Sequence, residues 1–516
     1  MLSVKYSHEK YQSFVRDFLN EYFIRRDHIR IIWTFAPLII KLWLCDLTNI
    51  VFLVRDHCST SNKGAPPKDV VALLRSLILM TLSGETSITK WVKTLQTNPF
   101  YAVLSGFIPA DYLDTHPDVN VDDIWADTLP GIGTFYDFMD RLIQKDRMLH
   151  KSNIIRKHRR KPKSKQKKNQ KYNSSKPSVV ERLVKRVIKY SDKPLLDTPE
   201  STLNIILKEI FVMPSAYKGI LGDIKKFNIA GDGTCMPTNA SHYGKKICDC
   251  KLERGQSCDC KRKYLDPSAS WGWDSYKEQW FYGHAFHCFT ACNSFYDLPI
   301  HLKCVTGERH DCVTGVYALT ELVKLYPEFG FYSAVFDSGY DSSYFYLLNN
   351  HFNIMPVIEL NERSSKPDSR SDLYYFDEKG IPHGKACGHK FRNWGLIKKS
   401  FRRKWLYPLQ CDNCSKCPAK SNWCKYTPIN ENPRYFTPVL RGSKQWKELY
   451  KRRTTTERIW NRINNDFNAE NAVVYSRERR TVRVFLGAFC CYIDAWFKES
   501  SLTIQNIFPN LPKLTA

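Results

Sequence analysis

The sequence predicts an α/β core, preceded by a helical N-terminal region and interrupted by a Cys-rich insertion. Three observations carry this. Residues 1–155 hold apolar side chains at helical spacing. From 226 onward, short apolar runs bounded by turn residues alternate with amphipathic stretches. Residues 366–445 then break the alternation with polar, Pro-rich and Cys-rich sequence. At 516 residues the chain exceeds one compact core, and 43% hydrophobic with 14% aromatic residues excludes a disordered protein.

Taken in order, 70–82 (VVALLRSLILMTL) has a wide apolar face, and 87–95 continues with Trp91 and Leu95. A Pro- and Asp-rich loop, 109–130, leads to Gly131-Ile132-Gly133, which opens an amphipathic helix over 136–143 and lacks the remaining glycines of a nucleotide fingerprint. The apolar stretch 31–54 is interrupted by Lys41 and Asp46, so it reads as buried helix rather than a membrane span. No charged segment followed by an apolar one opens the sequence, so the expected location is cytoplasmic and the 18 cysteines are expected to be reduced. Residues 156–180 form a basic linker around RKHRRKPKSKQKKNQK, either simply solvated or an arm along phosphates.

The core, 181–365, starts with a strand at 227–230 that ends at Gly231-Asp232-Gly233. A hairpin at 286–295 and 298–305 follows, turning at Tyr296-Asp297. Then come a helix at 316–325, a strand at 331–336 ending at Asp337, a helix at 342–349 and a strand at 354–360. Helical character returns over 446–516. With 78 Lys+Arg against 52 Asp+Glu, the net charge of +26 calls for a polyanionic partner, nucleic acid first, although ribosomal and membrane-surface proteins share that balance.

Asp232 and Asp337 share a setting: each follows a short apolar strand and precedes a glycine-containing turn. Carboxylates at a sheet rim suit hard divalent cations, magnesium or manganese. Tyr450, Arg453, Glu457, Asn461 and Asn464 fall on one face of a continuous helix, a polar stripe holding one carboxylate. Alone, that stripe also fits a solvated helix surface. Asp341 reads as an N-cap, Asp266 as a turn residue, His284 and His287 as structural or DNA-proximal, and Glu359 as a weaker third carboxylate.

The chain resembles the insertion-sequence DDE transposases, in the group with a tyrosine–arginine–glutamate–lysine signature. The resemblance runs through GIGTFYDFMDRL (131–142), FNIAGDGTCMPTNAS (227–241), DPSASWGWDSY (266–276), AVFDSGYDSSYFYLL (334–348) and YKRRTTTERIWNRIN (450–464). It implies an RNase H-like catalytic core with an insertion subdomain between the second Asp and the Glu helix. It places Asp232, Asp337 and Glu457 as the catalytic metal ligands. Tyr450 and Arg453 fit the signature, but Asn464 stands where the family has lysine. Arg458 or Arg462 are candidates to contact phosphate in its stead. The resemblance further implies a double-stranded DNA partner (terminal inverted repeats and target), a homodimer when synapsed, nucleoid association on DNA, and no membrane partner. Residues 1–155 are then a DNA-binding and assembly region. Two rivals stay open: a metal-dependent nuclease without strand transfer, and an inactive, domesticated DNA-binding protein held by zinc.

Cys411, Cys414, Cys417 and Cys424 are expected to wrap one structural zinc, with free thiols or an iron–sulfur cluster as alternatives. Cys248-x-Cys250 and Cys258-x-Cys260 are read as an exposed loop ahead of a second zinc site. Trp271, Trp273, Tyr276, Trp280, Phe281 and Tyr282 are read as a strand entering the core ahead of a base-stacking surface, and 398–404 (KKSFRRK) as a phosphate clamp.

Overall fold

The computed structural model describes residues 2–26, 28–58, 67–116, 124–143, 153–157, 177–194, 197–250, 258–361, 373–407 and 424–512. Its N-terminal region is helical, including α1 (His8–Leu19), α2 (Ala36–Trp43), α3 (Val70–Leu82), α4 (Ile88–Thr97) and α5 (Ile132–Leu142). Ser7, Asp69 and Ser87 cap α1, α3 and α4 through side-chain oxygens that accept otherwise unpaired backbone N–H groups. α3 is buried on nearly every side, as a helix without a polar face must be. Its one charge, Arg75, lies over the Tyr11 ring at 3.4 Å and donates to the Ser105 carbonyl.

The sheet is built from β1 (Phe227–Pro237), β2 (Gln279–Ala291), β3 (Leu298–Thr306), then, after helix α6 (Asp311–Leu325), β4 (Phe331–Phe336), helix α7 (Ser343–His351) and β5 (Met355–Ile358). β1 lies at the centre: β4 and then β5 pair outward from it in parallel, and β2 and then β3 pair on its other side, antiparallel. Three antiparallel strands followed by two parallel ones reached through helices is the expected α/β order. Ser270–Asp274 forms a further strand against the start of β2.

Several boundaries differ from expectation. β1 does not stop at Gly231-Asp232; it stays paired with β2 as far as Pro237↔Gly283. The glycines are there because Cβ atoms would not fit: at Gly231 one would press on Phe336 and Phe289. β2 begins at Gln279 because Trp280 and its neighbours pair with Ser270–Asp274. α6 starts at Asp311, with His310 capping it through Cys312 N–H.

The C-terminal part holds α8 (Lys444–Tyr450), a 3₁₀ turn (Lys451–Arg453), α9 (Thr454–Asn461), a π turn (Arg462–Asp466) and the long α10 (Arg477–Glu499). α10 packs on α3, α2 and β3 together. One continuous apolar core therefore runs from Tyr11 through the sheet to Leu511. Between β5 and α8, strands Arg392–Ile397, Arg402–Leu406 and Cys424–Pro428 form a small antiparallel sheet with its own cluster of Phe391, Trp405 and Tyr407. Among the described residues, no helix is long and apolar enough to cross a membrane.

Candidate active site

The parallel pairing of β4 with β1 sets Val335 beside Ala230. Two residues further along each strand stand Asp337 and Asp232, side by side on neighbouring strands at the centre of the sheet. β4 ends there, so Asp337 opens a 3₁₀ turn and its Oδ1 accepts from Gly339 N–H at 2.9 Å. Asp232 stays inside β1, with Oδ1 accepting from Gly233 N–H at 2.8 Å.

α9 crosses this point. Trp460 Nε1 donates to the Asp232 carbonyl at 3.3 Å, and the Thr456 hydroxyl meets Thr290 of β2 at 3.0 Å. These bonds fix Glu457, on the exposed side of α9, at the edge of the aspartate pair. Arg453 Nη1 donates to Glu457 Oε1 at 2.5 Å. The Tyr450 hydroxyl donates to the carboxylate of Glu359, which follows β5.

Asp311, at the start of α6, is an acid the sequence did not single out. A Cβ on Gly233 would collide with its carboxylate, which sets it against β1 next to Asp232. The electrostatics tie the group together. Burial, reinforced by Asp337 and Asp311, pushes Asp232 up to about 7, while Gly233 N–H and Arg453 pull the other way. Asp337 is raised by burial and by Glu457, against Gly339 N–H, Arg453 and His310. Asp311 is crowded by protein atoms around its carboxylate; that lost solvation raises it, and Asp337 adds to this while His310 opposes. Carboxylates facing one another in this way disfavour their own ionised forms. The signal for Asp311 was faint, because an Asp and a His just before an apolar helix read as its cap.

The arrangement is not one tight cage. Among the described residues, the only group of three or more potential metal ligands with its ligand atoms all within 4.8 Å of one another is made of cysteines. The Asp232, Asp337 and Glu457 carboxylates are spread more widely, with Glu457 drawn onto Arg453.

Other expected site residues lie elsewhere. Asn464 is 8% exposed, so it leaves the exposed stripe; the π turn at 462–466 adds backbone to one turn and rotates it inward. Arg458 pairs with Asp297 at 2.6 Å, and Arg462 with Asp494 at 2.5 Å. Asp341 is no N-cap: Ser342 holds that position, and the Asp341 carboxylate takes Arg434 at 2.7 Å and Asn361 N–H at 2.8 Å. Asp266 is more than a turn residue, since it pairs with His284 at 2.8 Å inside the protein. His287 is fully buried against Phe289 and Tyr340; burial, with His301 nearby, pushes it down to about 3, so it is a neutral core residue at neutral pH. In the 398–404 segment Arg403 is buried, bonded to the Thr437 and Pro438 carbonyls, while Lys398, Lys399 and Arg402 are exposed. Phe281 and Tyr282 do enter the core, but Trp271, Trp273, Tyr276 and Trp280 stand exposed on the hairpin. Cys411, Cys414 and Cys417 lie outside the described residues, and Cys424 opens the last strand of the small sheet.

A model of the family described as "Transposase DDE domain" matches residues 229–493, just over half of the chain. No curated protein and no solved structure matches the chain. The match starts inside β1, ahead of Asp232, and ends within α10, so it takes in the sheet from Ile229 onward and the helix carrying Glu457. A core of this strand order, matched by that model over more than half of the chain, shows that the chain belongs to the DDE transposase family.

Proposed function

We propose that this transposase cleaves the ends of a DNA element and joins them to target DNA by two-metal phosphoryl transfer, with Asp232, Asp337 and Glu457 as the metal-holding residues. The observation that carries the reading is the pairing of Asp232 with Asp337 on adjacent strands, crossed by the Glu457 helix. The donors fit magnesium or manganese: all are carboxylate oxygens, and their mutual repulsion is what bound cations would relieve. Held there, such ions supply charge stabilisation for the attacking and leaving oxygens of a phosphodiester.

The chain's own residues do the rest. Arg453 lies among the acids and offers its guanidinium to a DNA phosphate once Glu457 turns toward the aspartates. Tyr450, held by Glu359, positions that arginine's turn of helix. Arg458, exposed at the rim, can exchange Asp297 for a phosphate. Asn464, buried, and Arg462, drawn to Asp494, are given no phosphate contact in this reading. The partner is double-stranded DNA, engaged as paired inverted repeats by a homodimer, with the N-terminal helical region 1–155 serving binding and assembly and the basic linker 156–180 following the phosphates.

The test is magnesium- or manganese-dependent cleavage of DNA carrying the gene's own flanks. Cleavage at the element boundary should fall by at least about a hundredfold in Glu457→Gln. Equal cutting by wild type and variant would overturn the assignment of Glu457, and cutting without joining would leave a nuclease.

A further inference from the structure

The two Cys-x-Cys pairs, far apart from the candidate active site in role, converge in space. Cys248, Cys250, Cys258 and Cys260 bring their sulfurs within 4.8 Å of one another. Cys248 and Cys258 stand 3.4 Å apart, and Cys250 and Cys260 3.5 Å. A disulfide would hold its sulfurs at about 2.05 Å. Four sulfurs at about 2.3 Å from one tetrahedral zinc lie about 3.8 Å from each other. The observed spacing belongs with the second arrangement, and leaves room for a single ion rather than a cluster. The backbone N–H of Cys260 also donates to Cys258 Sγ at 3.3 Å, the kind of bond that steadies a thiolate ligand.

The surrounding segment has little else to hold it. Lys245–Lys246 and Arg262–Lys263 are two-residue strands paired with each other, and Arg262–Lys263 also pairs with Ile154–Ile155. Among the described residues from 241 to 263, none is buried. A loop without a core needs a crosslink to keep one shape. Charge is compatible with this: zinc with four thiolates carries a net charge of about −2, Asp249 and Asp259 add to it, and Lys245, Lys246, Lys261, Arg262 and Lys263 adjoin the cysteines to offset both.

We propose that Cys248, Cys250, Cys258 and Cys260 bind one zinc ion, which ties Lys245–Cys250 to Cys258–Lys263 as a basic knuckle beside the catalytic sheet. The knuckle has a mechanical role. Its strand Arg262–Lys263 pairs with Ile154–Ile155, and the next residues, through Lys157 beside the Tyr264 and Tyr282 rings, lead into the basic linker. Zinc thereby anchors the point from which the linker departs. This inference stands apart from the carboxylate chemistry and from any zinc at Cys411–Cys424.

The experiment measures metal by mass spectrometry in full-length protein, wild type against Cys258→Ser/Cys260→Ser. The variant should lose one equivalent of zinc per chain and keep its far-UV circular dichroism, because the knuckle lies outside the core. In parallel, the wild-type thiols are alkylated with iodoacetamide and mapped by peptide. The four named cysteines should resist until a chelator strips the zinc, which decides the matter even where the variant fails to fold. An unchanged zinc content in a folded variant, prompt alkylation of all four, or mapped Cys248–Cys258 and Cys250–Cys260 disulfides would each overturn the proposal.

Discussion

Gly233 is where one missing methyl group shapes the candidate site. Its hydrogen leaves the space in which the Asp311 carboxylate sits, so Gly233→Ala must push that acid away or bend β1. Magnesium-dependent cleavage should drop about 10–100-fold while binding to the same duplex is retained, read by gel assay and by anisotropy. Glu200 makes the opposite kind of residue-scale claim, one of stability. It is fully buried, accepts from Arg477 at 3.0 Å and lies 3.5 Å from Lys303. Burial alone would raise it, but Arg477 and Lys303 outweigh burial and bring it from 4.5 to about 2. The unfolded chain therefore takes up this proton first as pH falls. The stabilisation is complete above about 4.5 and drains away toward about 2. Glu200→Gln should cost about 3–5 kcal/mol in urea unfolding at pH 7, and the gap from wild type should narrow in that acid window.

At the scale of elements, α9 is held to the sheet by the Trp460 bond to the Asp232 carbonyl. Trp460→Phe keeps an aromatic ring, though a smaller one, and loses the donor. Unfolding should shift by only about 1 kcal/mol, whereas cleavage should fall by about tenfold or more, because the helix sets the reacting geometry. Equal small losses in both would show that the bond serves stability alone. The alternation of strands and helices was legible in the sequence because apolar runs were short and punctuated. Their limits were less so. Gly231 and Gly233 look like a strand end, yet they are glycines because Phe336, Phe289 and Asp311 crowd that stretch of a continuing strand. Likewise the residues 450–464 have the spacing of one helix, but 3₁₀ and π turns on either side of α9 reset the phase and bury Asn464. Asp232 and Asp337 were readable from their shared local setting; Asp311 was not, since only the fold brings α6 against β1. The convergence of the paired cysteines at 248–260 was not legible for a similar reason, as their spacing along the chain is undistinguished and the convergence is three-dimensional.

For the whole molecule, the net charge of +26 predicts a steep salt dependence of DNA binding. If roughly 6–10 phosphates are contacted, affinity for a random duplex should fall about 10³–10⁵-fold between 50 and 200 mM salt. Anisotropy titrations over that range check it, and a flat response would remove phosphate contact as the source of affinity. The exposed Trp271, Trp273, Tyr276 and Trp280 add apolar surface on the hairpin, and Trp271 lies 4.9 Å from the His242 ring.

The seating of α10 on α2, α3 and β3 has a genetic consequence. A reading frame broken by a nonsense codon or frameshift upstream of 477 yields a product whose buried apolar helix, α3, has lost part of its cover. Such a product presents a broad greasy surface to the cell's proteases and aggregates or is cleared. It cannot persist as a DNA-binding remnant that competes with intact copies for the same ends. Truncating lesions in a gene of this kind should therefore behave as recessive nulls.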